Sequence, residues 1–326
     1  MKIIGLFCGG YSSEYEISMK SAQLISENFP DEYELLKIIV TESNWYCDYN
    51  NSQRIFDMNT GEIDLPQGKT KIDAGLICIH GDPGENGKIQ AYLDLKNIPY
   101  VNSDFHASSL SFDKYTCNQF LKSHGVSTAK SILLRENQGY NSKHICSELG
   151  LPLFVKPTGS GSSYGISKVY EEDQLDMAIK FAFTEGDELV LESFLEGREL
   201  TCAVFRANDT IKALPITEII SENDFFDYDA KYNGKSKEET PAKIDEMVAN
   251  TIKSVSQEIY DLLGLKSIAR IDYILVESTP YVIEVNTIPG FSGASIVPQM
   301  LNIEGIELKE FWRMVIRQEL NNLPSH

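Results

Sequence analysis

Between Arg270 and Asn286 the chain reads R-I-D-Y-I-L-V, a short E-S-T break, then P-Y-V-I-E-V-N. Two strand-length runs of Ile, Val, Leu and Tyr flank a turn of Ser, Thr and Pro, the pattern of a β-hairpin. Strand side chains alternate faces, so Glu284 and Asn286 point the same way. With Val276 opposite Pro280 across the turn, Asp272 stands opposite Glu284, and like charges roughly 5 Å apart on neighbouring strands destabilise a sheet. The remaining positions are mostly apolar, so both faces are expected to be covered and water cannot screen the pair. Something cationic should lie between them. Three hard oxygen ligands suit Mg2+, which keeps part of its water and bridges phosphates. The competing reading is a structural ion network in which Arg or Lys neutralises both acids. A one-residue slip in register would break the argument.

Composition narrows the function classes. At 326 residues there is room for two or three domains and a substantial core. Apolar and charged contents of 42% and 24% are those of a soluble globular protein. A net charge of −19 argues against nucleic acid or an anionic membrane as the main partner. An anionic nucleotide remains possible where a metal and a few basic residues reverse the local sign. The six cysteines show no C-x-x-C spacing. Cys8, Cys78 and Cys202 fall in apolar, strand-like runs and are expected to be reduced core residues of a cytosolic protein. The opening M-K-I-I-G-L-F-C-G-G has too short an apolar run for a secretory signal, and no stretch reaches transmembrane length.

Strand and helix patterns alternate from the start: a strand over 2–8, a helix over 13–29 with Ser13 and Glu16 as a capping box, strands over 35–40 and 74–79, and a helix over 87–96. This βαβ rhythm implies an α/β lobe with a mostly parallel sheet, ending near residue 103. A central lobe is expected over 104–192, opened by a helix over 114–124, with strands 153–156, 166–169 and 189–192 and a helix over 172–183. A third lobe over 193–326 holds strands 199–205 and 213–220, a helix near 242–263 and the hairpin. The polar run Asn233–Thr240, N-G-K-S-K-E-E-T, reads as a mobile surface loop.

Several segments suit chemistry. K-P-T-G-S-G-S-S-Y-G, from Lys156 to Gly165, is built of small residues whose backbone N–H groups can cradle phosphate oxygens. It lacks the G-K-[ST] of a Walker loop and the helix start of a dinucleotide fingerprint. Lys156 and Lys114 are candidate partners for the phosphate charge. Glu14 stands at the head of the first helix, where it either complements the helix dipole or meets a substrate ammonium. His80 ends a strand before G-D-P-G-E-N-G, at the sheet edge where open α/β folds place ligands; a satisfied structural histidine is the alternative. In Y-D-A-K-Y, Lys231 and Tyr232 precede the polar loop, as either a packed anchor or a lid that excludes water.

Taken in order, these pieces resemble the D-alanine–D-alanine ligase family of the ATP-grasp superfamily. The resemblance spans nearly the whole chain, through G-G-Y-S-S-E-Y-E-I-S, H-G-D-P-G-E-N-G-K-I-Q, F-D-K, V-K-P-T-G-S-G-S-S-Y-G, Y-D-A-K-Y, A-R-I-D and E-V-N-T-I-P-G. It implies a three-lobed ATP-grasp fold, α/β in the N-terminal lobe and α+β in the nucleotide lobes. Asp272, Glu284 and Asn286 would hold two Mg2+, with Mn2+ as a substitute. Lys114, Lys156 and Lys231 would contact the phosphates of ATP beneath the backbone of Gly161, Ser162 and Ser163. Glu192, Ser193, Phe194 and Leu195 would form the adenine hinge, and Glu199 would bind the ribose. Glu14, beside His80, would hold the first D-alanine's ammonium and orient Ser162 and Tyr232. Arg270 and the Gly290 N–H would stabilise the oxyanion, and Ser295 and Ile296 would meet the second substrate's carboxylate. The family also implies a cytoplasmic homodimer acting on D-alanine and ATP in peptidoglycan precursor synthesis.

Three departures stand out. Asn86 replaces a frequent Asp, Ser160 a frequent Glu, and F-S-G-A-S-I-V-P a more polar run near the second substrate. The acceptor is therefore the open question: D-serine or D-lactate ligases and ligases of other amino acids are siblings. Y-D-A-K-Y argues against lactate, and Ile296 offers nothing to a serine hydroxyl. A non-catalytic nucleotide-binding regulator would show eroded metal ligands or a lost Arg270, and neither is seen.

Overall fold

The computed structural model describes residues 1–50, 52–159, 164–221 and 236–321. Strand β1 (Lys2–Gly9) is buried from Ile4 onward, as a strand covered on both faces must be. Helix α1 (Tyr15–Glu27) carries the chain to β2 (Tyr33–Val40), which pairs with β1 in parallel. The turn between β1 and α1 needs its glycines: Gly9 and Gly10 have φ of +90° and +112°, and a Cβ on Gly10 would stand 2.6 Å from Ile79. The expected capping box is not formed. Glu14 is the N-cap and makes no side-chain cap, while Ser12 Oγ accepts from the Glu14 N–H at 3.2 Å and donates to the His80 carbonyl at 2.8 Å.

The first sheet is mixed, not mostly parallel. Strands β3 (Trp45–Tyr49), β4 (Ser52–Asp57), β5 (Glu62–Leu65) and β6 (Gly68–Lys71) form an antiparallel meander beyond β2, and β7 (Ala74–Ile77) pairs in parallel on the other side of β1. The expected parallel part is thus β2, β1 and β7 alone. Helix α2 (Lys88–Leu95) follows, then α3 (Phe105–Phe112), capped by Asp104, and α4 (Lys114–Ser123), capped by Asp113.

A four-stranded antiparallel sheet comes next. It is built from β8 (Ser131–Arg135), β9 (Leu153–Pro157), β10 (Ser167–Val169) and β11 (Glu188–Ser193), in the order β10-β9-β11-β8. Helices α5 (Ser142–Leu149) and α6 (Leu175–Ala182) close its own small core, which includes Leu134, Val155, Ile179 and Leu191.

The third sheet holds β12 (Arg198–Ala207), β13 (Thr210–Ala213), β14 (Thr217–Ser221), β15 (Ser236–Glu239), β16 (Ile268–Val276) and β17 (Thr279–Asn286), all antiparallel. Two expectations fail here. The strand read over 213–220 is two strands, broken after Ala213. Residues 236–239 of the presumed loop are strand β15, hydrogen-bonded to β14; residues 233–235 lie outside the described residues. Helix α7 (Glu246–Leu262) covers this sheet with α3 and α4, whose Ala107, Cys117 and Leu121 share a core with Leu200, Ile259 and Tyr273. By packing, α3 and α4 go with the third lobe and not with the 104–192 unit read from sequence.

Helices α8 (Ile296–Ile303) and α9 (Leu308–Asn321) complete the chain. Phe291, Phe311 and Trp312 join Ala203 and Phe205 of β12 to Ile4, Leu6 and Ile25 of the first lobe in one continuous core. The first and third lobes are therefore welded together, and the cleft between them has a firm floor. All six cysteines are free thiols, and Cys8, Cys78 and Cys202 are buried as expected. Among the described residues no helix is long and apolar enough to cross a membrane. Phe311, fully buried against Phe205 at 5.3 Å and Trp312 at 5.0 Å, tests the weld. Phe311→Ala should cost about 3–5 kcal/mol in urea unfolding; a loss under about 1 kcal/mol would show that the lobes do not depend on this joint.

Candidate active site

The hairpin β16–β17 sets the centre of the site. Asp272 stands opposite Glu284 and Arg270 opposite Asn286, as the sequence argument required. The route differs, however. The turn closes Val276 onto Thr279 and Leu275 onto Pro280, one residue away from the expected pairing, and a bulge after Asp272 restores the register by leaving Ile283 unmatched.

Two basic side chains neutralise the acids. Arg270 grips Asp272 with both arms, Nε to Oδ1 at 2.8 Å and the terminal nitrogen to Oδ2 at 2.7 Å. Thr201 Oγ1 and Asn286 Nδ2 add hydrogen bonds to the same carboxylate at 2.6 and 3.0 Å. Lys114 Nζ lies 3.3 Å from Glu284 Oε2. Asp272, followed by Glu284 and Glu85, raises the Arg270 pKa against the opposing effect of burial, so its charge is permanent. The two acids thus sit in an ion network with Arg270 and Lys114.

Above this floor the four-stranded sheet supplies a second wall. Lys156 of β9 and Glu192 of β11 form a buried pair at 2.7 Å. Asn118 of α4 donates to Glu192 Oε1 at 3.4 Å and to the Ile283 carbonyl at 3.2 Å, linking that wall to the bulge beside Glu284. Phe154 and Phe194 stand 6.1 Å apart, with Lys156 Nζ 5.1 Å over the first ring and Lys168 Nζ 4.2 Å over the second.

From the first lobe come Glu14, His80 and Glu85. His80 uses both ring nitrogens within the protein: Nδ1 is 2.9 Å from the Ile288 carbonyl and Nε2 is 3.0 Å from Ser21 Oγ. The Ile288 carbonyl can only accept, so Nδ1 carries the ring proton, and in the neutral ring Nε2 accepts from Ser21 Oγ, which itself accepts from the Phe291 N–H. Burial depresses its pKa in agreement. His80 lines the cleft and ties the loop at Ile288 to the first lobe. Asn86 likewise serves its own turn, donating to Asp82 Oδ1 at 2.8 Å.

One cleft of about 710 Å³ collects every candidate residue that is described. Glu14, His80, Lys114, Lys156, Glu192, Ser193, Phe194, Leu195, Glu199, Arg270, Asp272, Glu284, Asn286, Gly290, Ser295 and Ile296 all line it. Gly161, Ser162, Ser163, Lys231 and Tyr232 lie outside the described residues, as does Ser160. Ser295 is the N-cap of α8, and its hydroxyl oxygen accepts from the Ser292 N–H at 2.9 Å, so the loop after Gly290 ends on a helix N-terminus suited to an anion.

Similarity to known proteins now decides the family. A family model described as D-ala D-ala ligase N-terminus matches residues 3–103, and one described as D-ala D-ala ligase C-terminus matches residues 120–317. The chain belongs to the D-alanine–D-alanine ligase family. The D-alanine–D-alanine ligase of Flavobacterium johnsoniae is 39% identical over 322 residues, covering 98% of this chain and 100% of that protein. That of Azobacteroides pseudotrichonymphae is 42% identical, covering 97% and 99%. Among solved structures, the VanG D-Ala:D-Ser ligase of Enterococcus faecalis superposes with a TM-score of 0.86 at 30% identity, covering 97% and 98%. The Bacillus anthracis D-alanine–D-alanine ligase complexed with ATP gives 0.81 at 28% identity, covering 98% of each chain. The three-lobed ATP-grasp architecture is therefore that of the D-alanine–D-alanine ligases.

Sequence reading passed over Glu85 and Glu238, which line the same cleft. Glu85 sits inside the quoted H-G-D-P-G-E-N-G motif, and the Gly81 N–H donates to its Oε2 at 2.7 Å. Burial, then the neighbouring Glu14 charge, pushes its carboxyl up to about 8. Its folded value lies above the ordinary 4.5, so Glu85 stays protonated in the folded chain where the unfolded chain ionises, and stability falls as pH rises from 4.5 to about 8. Glu85→Gln should flatten that decline in urea titrations across the window. An unchanged slope would show that Glu85 ionises normally.

Proposed function

We propose that this chain joins two D-alanines into D-alanyl-D-alanine with conversion of ATP to ADP and phosphate, supplying the dipeptide for peptidoglycan precursors. The observation that carries the proposal is the meeting, in one cleft, of two facing carboxylates with Lys114, Lys156 and Arg270 on one side and Glu14 on the other. The curated relatives of that name, alike over nearly their whole length, support the same reaction.

The donor set fits Mg2+. Asp272, Glu284 and Asn286 offer hard oxygens, and Asn286 meets Asp272 through its nitrogen, Nδ2, so its carbonyl oxygen is not spent on that contact. Among the described residues there is no cluster of three or more His, Cys, Asp or Glu placed for a metal. Phosphate oxygens would have to complete the shell, as suits an ion that arrives with a nucleotide. Bound there, Mg2+ would neutralise phosphate charge and orient the transferred group.

The chain's own residues do the rest. Lys114 and Lys156 would bind the phosphates, and the Phe154–Phe194 slot with Glu192 to Leu195 would take the adenine, leaving Glu199 for the ribose. Glu14 would hold the donor's ammonium so that its carboxylate attacks the γ-phosphorus in line, the bridging oxygen departing with ADP. The acceptor's amine, having lost a proton, then attacks the acyl phosphate carbonyl. Arg270 and the Gly290 N–H would stabilise the oxyanion, and phosphate leaves as the peptide bond forms. Ser295 and Ile296, at the N-terminus of α8, would hold the acceptor's carboxylate.

Within this scheme Ser162 and Tyr232 would complete the donor site, and Gly161, Ser163 and Lys231 the phosphate site. A cytoplasmic homodimer using two Mg2+ is part of the same proposal. Glu284→Gln should reduce D-alanine-dependent ATP turnover to near background while far-ultraviolet circular dichroism and the melting temperature stay close to the parent's. Turnover within a few-fold of the parent would remove the metal assignment.

A further inference from the structure

Strand β15 delivers Glu238 to the same wall of the cleft as helix α8. Gln299 Nε2, on α8, donates to Glu238 Oε2 at 2.8 Å and lies 3.5 Å from the Ala294 carbonyl. One glutamine thus ties β15 to the loop that leads into the helix. Glu238 lines the same cleft as Arg270, Gly290, Ser295 and Ile296. Burial raises its carboxyl pKa, while the Gln299 hydrogen bond and the Arg270 charge oppose that rise. Among the described residues no hydrogen bond reaches its other oxygen, Oε1. The region therefore presents two ends of opposite character: a helix N-terminus that suits an anion, and an anchored, half-buried carboxylate that suits a cation. An amino acid zwitterion matches both ends; a hydroxy acid matches only the first.

We propose that Glu238, held by Gln299, receives the ammonium of the acceptor amino acid and so sets the preference for an amino acid over a hydroxy acid. The inference deepens the ligase reading and rests on it. It also gives the acceptor pocket a polar determinant where Gly293 and Ala294 supply none.

The test uses the full chain with ATP and Mg2+, steady-state kinetics for both D-alanine subsites, and D-alanine competing with D-lactate, products being quantified by mass spectrometry. Glu238→Gln should raise the acceptor KM on the order of tenfold, the scale of one charge-assisted hydrogen bond. The donor KM and the KM for ATP should hold, and the share of D-alanyl-D-lactate should rise. Gln299→Leu, which frees the carboxylate without removing it, should shift both readouts the same way and less far, and it carries the test if Glu238→Gln melts early. An unchanged acceptor KM and product ratio in folded variants would overturn the proposal, as would a loss spread equally over both subsites and ATP. A parent enzyme that makes no D-alanyl-D-alanine would instead remove the ligase reading itself, and this inference with it.

Discussion

Two carboxylates face each other across neighbouring strands, and the rest of the site is arranged around that repulsion. Like charges facing each other on neighbouring strands, Asp272 buried and Glu284 partly so, destabilise a sheet unless cations meet them. Arg270 meets Asp272 from the same strand, and Lys114 meets Glu284 from α4. The first contact is fixed by period-two spacing within β16. The second joins α4 to β17 beside the apolar packing that seats α3 and α4 on the third lobe's core. Asn118, one helical turn beyond Lys114, then reaches both Ile283 and Glu192. Helix α4 thus links the charged hairpin to the opposite wall of the cleft.

The side-chain ion network meets the same electrostatic problem that a metal–nucleotide complex would meet. Arg270 and Lys114 supply positive charge beside the two acids. A nucleotide with its metal would bring both new positive charge and phosphates that attract Arg270 and Lys114. The continuous core through Phe291, Phe311 and Trp312 keeps the first and third lobes from yielding under that exchange.

Much of this was legible in the residues because the site lies on regular elements. Alternation placed Asp272 opposite Glu284, and the order of the motifs gathered sixteen described candidates that line a single cleft. The register itself was reached through two offsetting errors, since neither the tight turn at Glu277 (φ +54°) nor the bulge at Ile283 leaves a compositional trace. The meander over 45–71 went unread because its outer strands are largely polar and short. Residues 236–239 read as a loop because strand β15 carries Lys and Glu, which suit an edge strand. The ring contacts of His80 left no trace in the sequence for a different reason: its partners Ser21 and Ile288 are brought to it only by the fold. The same is true of Glu238 and Gln299, sixty-one residues apart in sequence.

In the reaction proposed above, this cleft activates one amino acid carboxylate with ATP and delivers it to a second amino acid of the same kind. The most direct measurement is phosphate release from ATP and Mg2+ with single amino acids and with mixed pairs that include D-serine and D-lactate, each product being identified by mass. D-Alanine alone is predicted to support release and to yield D-alanyl-D-alanine. Release confined to a mixed pair would contradict the acceptor assignment, and no release with any pair would contradict the catalytic reading altogether.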